Sequence, residues 1–245
     1  MRRFAADLHI HTALSPCAAP EMTPPAIVRA ARQSGLAMIA VCDHNAAGNT
    51  VAVQAAAGDT LSVLAGMEIT TAEEVHVLGL FPDAEAALAA ADEVQHTLPV
   101  ADNAYVARFG EQRLMDATGA VVGRETRMLA LASMLDLAAT VKLIHRHGGV
   151  AVAAHINRPS FSVLSQLGVF PTNAGFDAIE VFTPAGTPAR AADFAGYGLP
   201  VICSSDSHFP TDIGLVRSTF RMKAPTFEEL VLAFRGVGRR GVACA

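Results

Sequence analysis

Asp7-Leu8-His9-Ile10-His11-Thr12 closes an apolar run that starts at Phe4, and a Ser/Pro-rich loop follows it. Side chains alternate across a β-strand, so His9 and His11 project to one side, with Asp7 two positions earlier on that same side. Two imidazoles at a strand end are the simplest way for a strand to begin a metal site. Asp7 is placed to accept a hydrogen bond from a ligand histidine and fix its tautomer. One His-x-His pair is weak by itself; its weight comes from what recurs downstream.

Outward from this stretch the chain alternates strand and helix. Thr23 caps a predicted helix with Pro24 at its first position, running to Gly35. The apolar run over residues 36–42 suits a parallel strand buried on both faces and ends at Asp43-His44-Asn45. Residues 61–65 form a strand leading to Gly66-Met67-Glu68, residues 73–81 another carrying His76, and residues 84–95 a helix. A long helix is predicted over residues 127–146, then a strand over 150–154 that delivers His155. A strand over 176–182 carries Glu180, a small-residue helix covers 188–195, and a strand over 199–203 delivers Ser204-Ser205-Asp206-Ser207-His208. A strand over 217–222 precedes a last helix, for which Thr226 and Glu229 make a capping box. Residues 97–124 break the rhythm with a short hairpin turning at Thr118-Gly119, read as an insertion in a single domain over residues 1–245.

The 245 residues, 51% hydrophobic and 17% charged, suffice for one large domain with a substantial core. Net charge is −5, and the 18 basic residues include no run that would mark a duplex nucleic-acid footprint, so no duplex partner is expected. A small anionic substrate stays open, because bound cations would invert the local field. Cys17, Cys42, Cys203 and Cys244 form no Cys-x-x-Cys pair, so no disulfide framework and a cytoplasmic location are expected. The N-terminus lacks a signal-peptide core, and no uncharged apolar run reaches the ~18 residues of a membrane span.

In α/β folds functional groups collect at the carboxyl ends of the strands. His9 and His11, His44, Glu68 with His76 on the neighbouring strand, His155, and Asp206 with His208 all fit that placement. Imidazoles with two carboxylates suit zinc, iron or manganese rather than calcium, and Glu68 has two oxygens with which to bridge ions. Such a site favours hydrolysis of a phosphate ester by a metal-bound hydroxide.

Taken in order, Asp-Leu-His-Ile-His-Thr, Asp43-His44-Asn45, Gly66-Met67-Glu68 with His76, Ala154-His155 and Ser205-Asp206-Ser207-His208 resemble the successive motifs of the PHP (polymerase and histidinol phosphatase) family over nearly the whole chain. The resemblance implies a distorted seven-stranded β/α barrel holding two to three divalent transition-metal ions. It implies that His9, His11, Glu68 and Asp206 hold the first ion, and Glu68, His76 and His155 the second. His44 and His208 would hold the third with a residue of the loop after His11. Many relatives place histidine or aspartate there; here the candidates are Cys17 and, second, Glu21, and a thiolate would favour zinc or iron. The implied substrate is a small phosphorylated molecule, including a nucleotide or short oligonucleotide.

Several residues read two ways. Arg158 is a surface arginine or a guanidinium that takes a substrate phosphate. Glu180 is a support for a ligand or a plain polar strand end. His155 or His208 could assist the leaving group. His145 and His147 read as cations at a helix C-terminus, His96 as a surface residue, and Cys42 and Cys203 as small buried strand residues. Hydrolysis of a C–N or lactone bond, and a metal-stabilised interaction module without turnover, are the competing functions; the full ligand set argues against the second.

Overall fold

A computed structural model describes residues 1–184, 186–187 and 191–244. The chain opens with β1 (Arg2–Ile10), α1 (Pro24–Gln33), β2 (Met38–Val41), α2 (Thr50–Ala57), β3 (Ser62–Thr70) and β4 (His76–Phe81). There follow α3 (Ala84–Gln95), α4 (Asn103–Phe109) and a hairpin of β5 (Arg113–Met115) and β6 (Val121–Arg124). Then come α5 (Leu137–Arg146), β7 (Val150–Ala153), α6 (Val163–Leu167), β8 (Ala178–Glu180) and β9 (Val201–Ile202). The last elements are β10 (Ser218–Met222), α7 (Phe227–Phe234) and β11 (Gly241–Cys244).

Nine strands form one sheet in the order β11-β10-β1-β2-β3-β4-β7-β8-β9. Beyond β9 the chain returns to β1: Ser207 bridges Ile10, and His11 N–H donates to Ser207 O at 3.0 Å. The sheet is thereby a nearly closed barrel. The expected seven strands are nine among the described residues in this sheet, since β10 adds antiparallel to β1 and β11 antiparallel to β10. The barrel is also mixed. β4 runs antiparallel to both β3 and β7, so its first residue, His76, sits at the end where β3 and β7 finish.

Leu64, Leu78 and Cys42 belong to one buried apolar cluster with Leu8, Met38, Val152 and Ile202, closed by Phe227, Leu230 and Phe234 of α7. By strand alternation Glu68, His76 and His44 lie on the faces of Leu64, Leu78 and Cys42, so the polar site continues that apolar column upward. The opposite faces pack on helices through Met67, Val77, Ile144 and Ile179. A Cβ at Gly66 would lie 2.7 Å from Cys42 Sγ and 2.9 Å from Val41 O, so β2 and β3 meet here only around a glycine.

The region of residues 97–124 holds α4 and the expected hairpin, whose turn closes on Asp116: its Oδ1 accepts from Thr118 N and Oγ1. The predicted helix over 127–146 is helical only from Leu137, where Asp136 caps it by accepting from Ala139 N at 2.7 Å. Residues before it are drawn out by tertiary bonds: Leu129 N to Gln112, Ala130 N to the Tyr105 hydroxyl, and the Leu129 and Leu131 carbonyls to Asn45 Nδ2. The capping box at α7 forms only by half. Thr226 accepts from Glu229 N, but the Glu229 carboxylate turns to Arg240 and to Lys223 N. Of the helix expected over 188–195, the first three residues lie outside the described ones, and Ala191–Tyr197 is a 3-10 turn. Cys203 is buried as expected but not as a free thiol: it is disulfide-bonded to Cys244, against the expectation of no disulfide. The bond joins β9 to β11, which spacing 41 residues apart gave no means of foreseeing. No described helix is long and apolar enough to cross a membrane.

Candidate metal centre

Glu68 lies two residues inside the end of β3 and collects imidazoles around its carboxylate. His76 Nδ1 is 2.8 Å from Oε1, His155 Nε2 3.1 Å and His9 Nε2 3.3 Å, while His44 Nδ1 and His11 Nε2 approach Oε2 at 3.1 and 3.4 Å. Asp206 Oδ1 is 3.1 Å from His11 Nε2 and 3.3 Å from His9 Nε2. His208 stacks on His11 with ring centroids 4.2 Å apart. His9, His11, Glu68 and Asp206 each offer a donor atom within 4.8 Å of the others; so do His44, Glu68 and His76, and so do His11, His44 and His208.

Local structure sets each ring. His9 Nδ1 bonds to the Glu180 carboxylate at 3.0 Å, and Glu180 also accepts His155 N–H. Glu180 is thus a support for two of the histidines. Ser15 donates its hydroxyl to Asp43, so it accepts from His11 Nδ1, and Asp43 also takes Thr12 N and Oγ1. Asp43 is therefore a loop anchor. Asp7 departs from its expected role: its carboxylate takes Ser205 N, Ser205 Oγ and Gly214 N, and so holds the segment that carries Asp206 and His208. Asn45, at φ 50°, bonds Thr70 N as well as the 129–131 carbonyls. Of six non-glycine residues at positive φ among the described ones, Asn45, Glu74, His155, Phe161 and Asp206 all sit at this site.

These tautomers leave bare lone pairs facing one another. With both Nδ1 protons committed, His9 Nε2 and His11 Nε2 meet at 3.2 Å between two carboxylates. His76 Nδ1 and His155 Nδ1 are buried with no hydrogen-bond partner, although His76 Nδ1 touches Glu68. Lone pairs converge this way around a cation, and the mixed nitrogen and oxygen set fits zinc, iron or manganese. In the ion-free protein protons substitute. Burial works against charge on His11 and His44, yet Asp206 and Glu68 raise His11 to about 9, and Glu68 raises His44 to about 9. Burial pushes His76 down to about 4, and burial together with His11 pushes His208 down to about 3. Glu68 and Asp206 stay ionised well below the usual range despite burial, because the histidines surround them.

The site opens into a cavity of about 450 Å³. Its lining includes the polar residues Cys17, His44, Glu68, His76, His155, Arg158, Asp206 and His208. The lining also has apolar members: Phe109 from α4, Leu131, and Phe161, whose ring stacks on His76 at 4.7 Å. Arg158 is ion-paired with Asp206 and lies 4.4 Å over the Phe182 ring, so it is no detached surface arginine. Cys17 Sγ is 3.1 Å from His208 Nε2, while Glu21 is exposed and outside the cavity lining. His145 and His147 are outside the site, paired with Asp177 and Glu93, and His96 is exposed. Phe109, Leu131 and Phe161 were not among the candidates; apolar residues in loops or at a helix end carry no sequence signal of their own.

Histidines and carboxylates grouped at one end of an α/β barrel define a site of the metal-binding class. The chain belongs to the PHP domain family, whose model matches residues 7–166; a second, PHP-associated family model matches residues 189–236. Endonuclease Q from Pyrococcus furiosus, a lesion-specific endonuclease, is similar in structure, with a TM-score of 0.73 at 20% identity over 98% of this chain and 58% of its own. This chain thus spans little more than half of that enzyme. A Bifidobacterium adolescentis protein assigned as a metal-dependent phosphoesterase gives 0.58 at 22% identity, over 84% of this chain and 88% of its own. A Chromobacterium violaceum amidohydrolase solved with sulfate gives 0.59 at 22%, over 85% and 89%. No curated protein sequence matches.

One expectation is overturned. Endonuclease Q has also been solved with a 27-mer duplex that carries an abasic lesion at the active site, so this fold does not exclude duplex nucleic acid. The exclusion counted only basic side chains, and a centre that gathers cations has a positive field that composition does not register.

Proposed function

We propose that this chain is a metal-dependent phosphoesterase with two to three divalent ions at the barrel mouth. The observation that carries the reading is the set of five imidazoles gathered on the Glu68 carboxylate, with His76 Nδ1 buried and without a hydrogen-bond partner. His9, His11, Glu68 and Asp206 are the ligands of one ion; Glu68, His76 and His155 of a second, with His44 close enough to share it; His44 and His208 of a third. Zinc, iron or manganese there would supply Lewis acidity and a water of lowered pKa. The chain's own groups do the rest. Arg158 offers a guanidinium at the cavity mouth that can leave Asp206 for a substrate phosphate. His155 and His208, both in the cavity lining, are the two candidates to assist the leaving group. The apolar wall of Phe109, Leu131 and Phe161 limits water around the ester. The two matched stretches act as one domain, since both supply strands to one sheet.

The test is a panel of phosphomonoesters, nucleotides, oligonucleotides and amides assayed on the metal-loaded protein. Turnover of phosphate esters alone supports the proposal. Turnover of amides or lactones alone favours the competing hydrolase, for which the amidohydrolase neighbour speaks. Cleavage of duplex DNA at a lesion would assign a phosphodiesterase role resembling that of endonuclease Q.

A further inference from the structure

The three imidazoles at the rim differ from the floor in one respect: a sulfur joins them. The loop after β1 is fixed by Ala13 N to Met22 O at 2.9 Å, Ala18 N to Ser15 O at 3.0 Å and Ala19 N to His208 O at 2.8 Å. That last bond clamps the loop to the segment bearing His208 and brings Cys17 Sγ to 3.1 Å from His208 Nε2. His208 Nδ1 is already used on Asp206 O at 2.9 Å, so Nε2 is its ligand atom. His44 belongs to the same cluster, its donor atom within 4.8 Å of those of His11 and His208. Sulfur and nitrogen ligands of one tetrahedral zinc stand roughly 3.5 Å apart, close to the separation found.

We infer that Cys17, His44 and His208, with His11 in reach, form a thiolate-bearing cation position at the cavity rim that selects thiophilic ions, zinc or cobalt, over manganese. This rests on the metal-centre reading above and adds the identity of one ion. On binding, the Cys17 S–H proton passes to solvent and the sulfur pair goes to the cation; no oxidant or reductant is involved. The remaining positions, lined by imidazole and carboxylate alone, accept manganese as well. Because Cys17 is exposed, Cys42 is buried, and Cys203 and Cys244 are bonded, Cys17 is the one accessible thiol among the described residues.

The experiment uses the full chain stripped with chelator, in wild-type form and as Cys17→Ser and Cys17→Asp. Each is dialysed against zinc, cobalt or manganese, and bound metal is counted. Wild type is expected to hold one more zinc than manganese per chain, to show a near-ultraviolet thiolate-to-cobalt band, and to lose Cys17 labelling by a maleimide at least tenfold when zinc is added. Cys17→Ser should lose the band and one zinc; Cys17→Asp should hold manganese at that position. If Cys17→Ser keeps every zinc at unchanged affinity and wild type shows no band, the inference fails while the metal centre stands. If neither protein binds zinc or cobalt, both fall.

Discussion

At the cavity floor the rings of His9 and His11 are held from behind, whereas at the rim the donors stand on loops. His9 leans on Glu180, His11 on Ser15 and through it Asp43, and these partners are themselves buried. At the rim His208 is partly exposed, Cys17 is exposed, and Arg158 reaches in from the loop after β7. A floor built on strands fixes geometry; a rim built on loops can vary its donors without disturbing it. Under the function proposed above, this contrast would let one barrel keep its hydrolytic core while a sulfur takes the place of a harder donor at its edge.

Substitutions can sharpen or break the contrast. The largest effect is expected at Glu68→Gln, the carboxylate common to five imidazoles. Ion binding at the floor should be lost and phosphoesterase turnover should fall by about a thousandfold or more, read by metal analysis and kcat. Glu180→Gln removes no ligand but frees His9, and zinc affinity should weaken about 10–100-fold in a competition titration. If it proves as severe as Glu68→Gln, Glu180 is itself a ligand. Arg158→Ala, at the rim, should raise KM for a phosphate ester about tenfold with floor metals retained. An unchanged KM and kcat would return Arg158 to the status of a partner for Asp206 alone.

The smallest effect lies far from the site. The hydrogen bonds from Arg240 and Lys223 N hold Glu229 down at about 2. A carboxylate with a depressed folded-state pKa contributes stability above its unfolded value, here 4.5, and that contribution disappears as pH falls through about 2. The Tm difference between wild type and Glu229→Gln should therefore be full at neutral pH and shrink across that acid window. A difference independent of pH would deny the pair this role.

Much of this contrast was legible in the sequence. The floor could be read because apolar strand runs end at His9 and His11, at His44 and near Glu68, and because strand ends converge in an α/β barrel. The direction of β4 could not: His76 begins its strand, and nothing in the apolar residues 77–81 tells an antiparallel neighbour from a parallel one. The helix expected over residues 127–136 failed for a tertiary reason. Met128-Leu129-Ala130-Leu131-Ala132 has high helix propensity, but the Asn45 amide and the Gln112 and Tyr105 side chains take its backbone groups. The apolar cavity wall was invisible, because Phe109 and Phe161 acquire meaning only once the loops are placed. The Cys203–Cys244 bond has the same character, joining two strand positions that are neighbours only in the closed sheet.

The central claim is that buried nitrogens and carboxylates around Glu68 hold cations that make phosphate-ester hydrolysis possible. Calorimetric titration of the chelator-stripped protein with zinc and with manganese, followed on the same sample by turnover of an aryl phosphate, tests it directly. The account predicts at least two bound ions per chain and turnover that appears only with them. A folded protein that binds neither ion, or that binds them and leaves every phosphate ester intact, would contradict it.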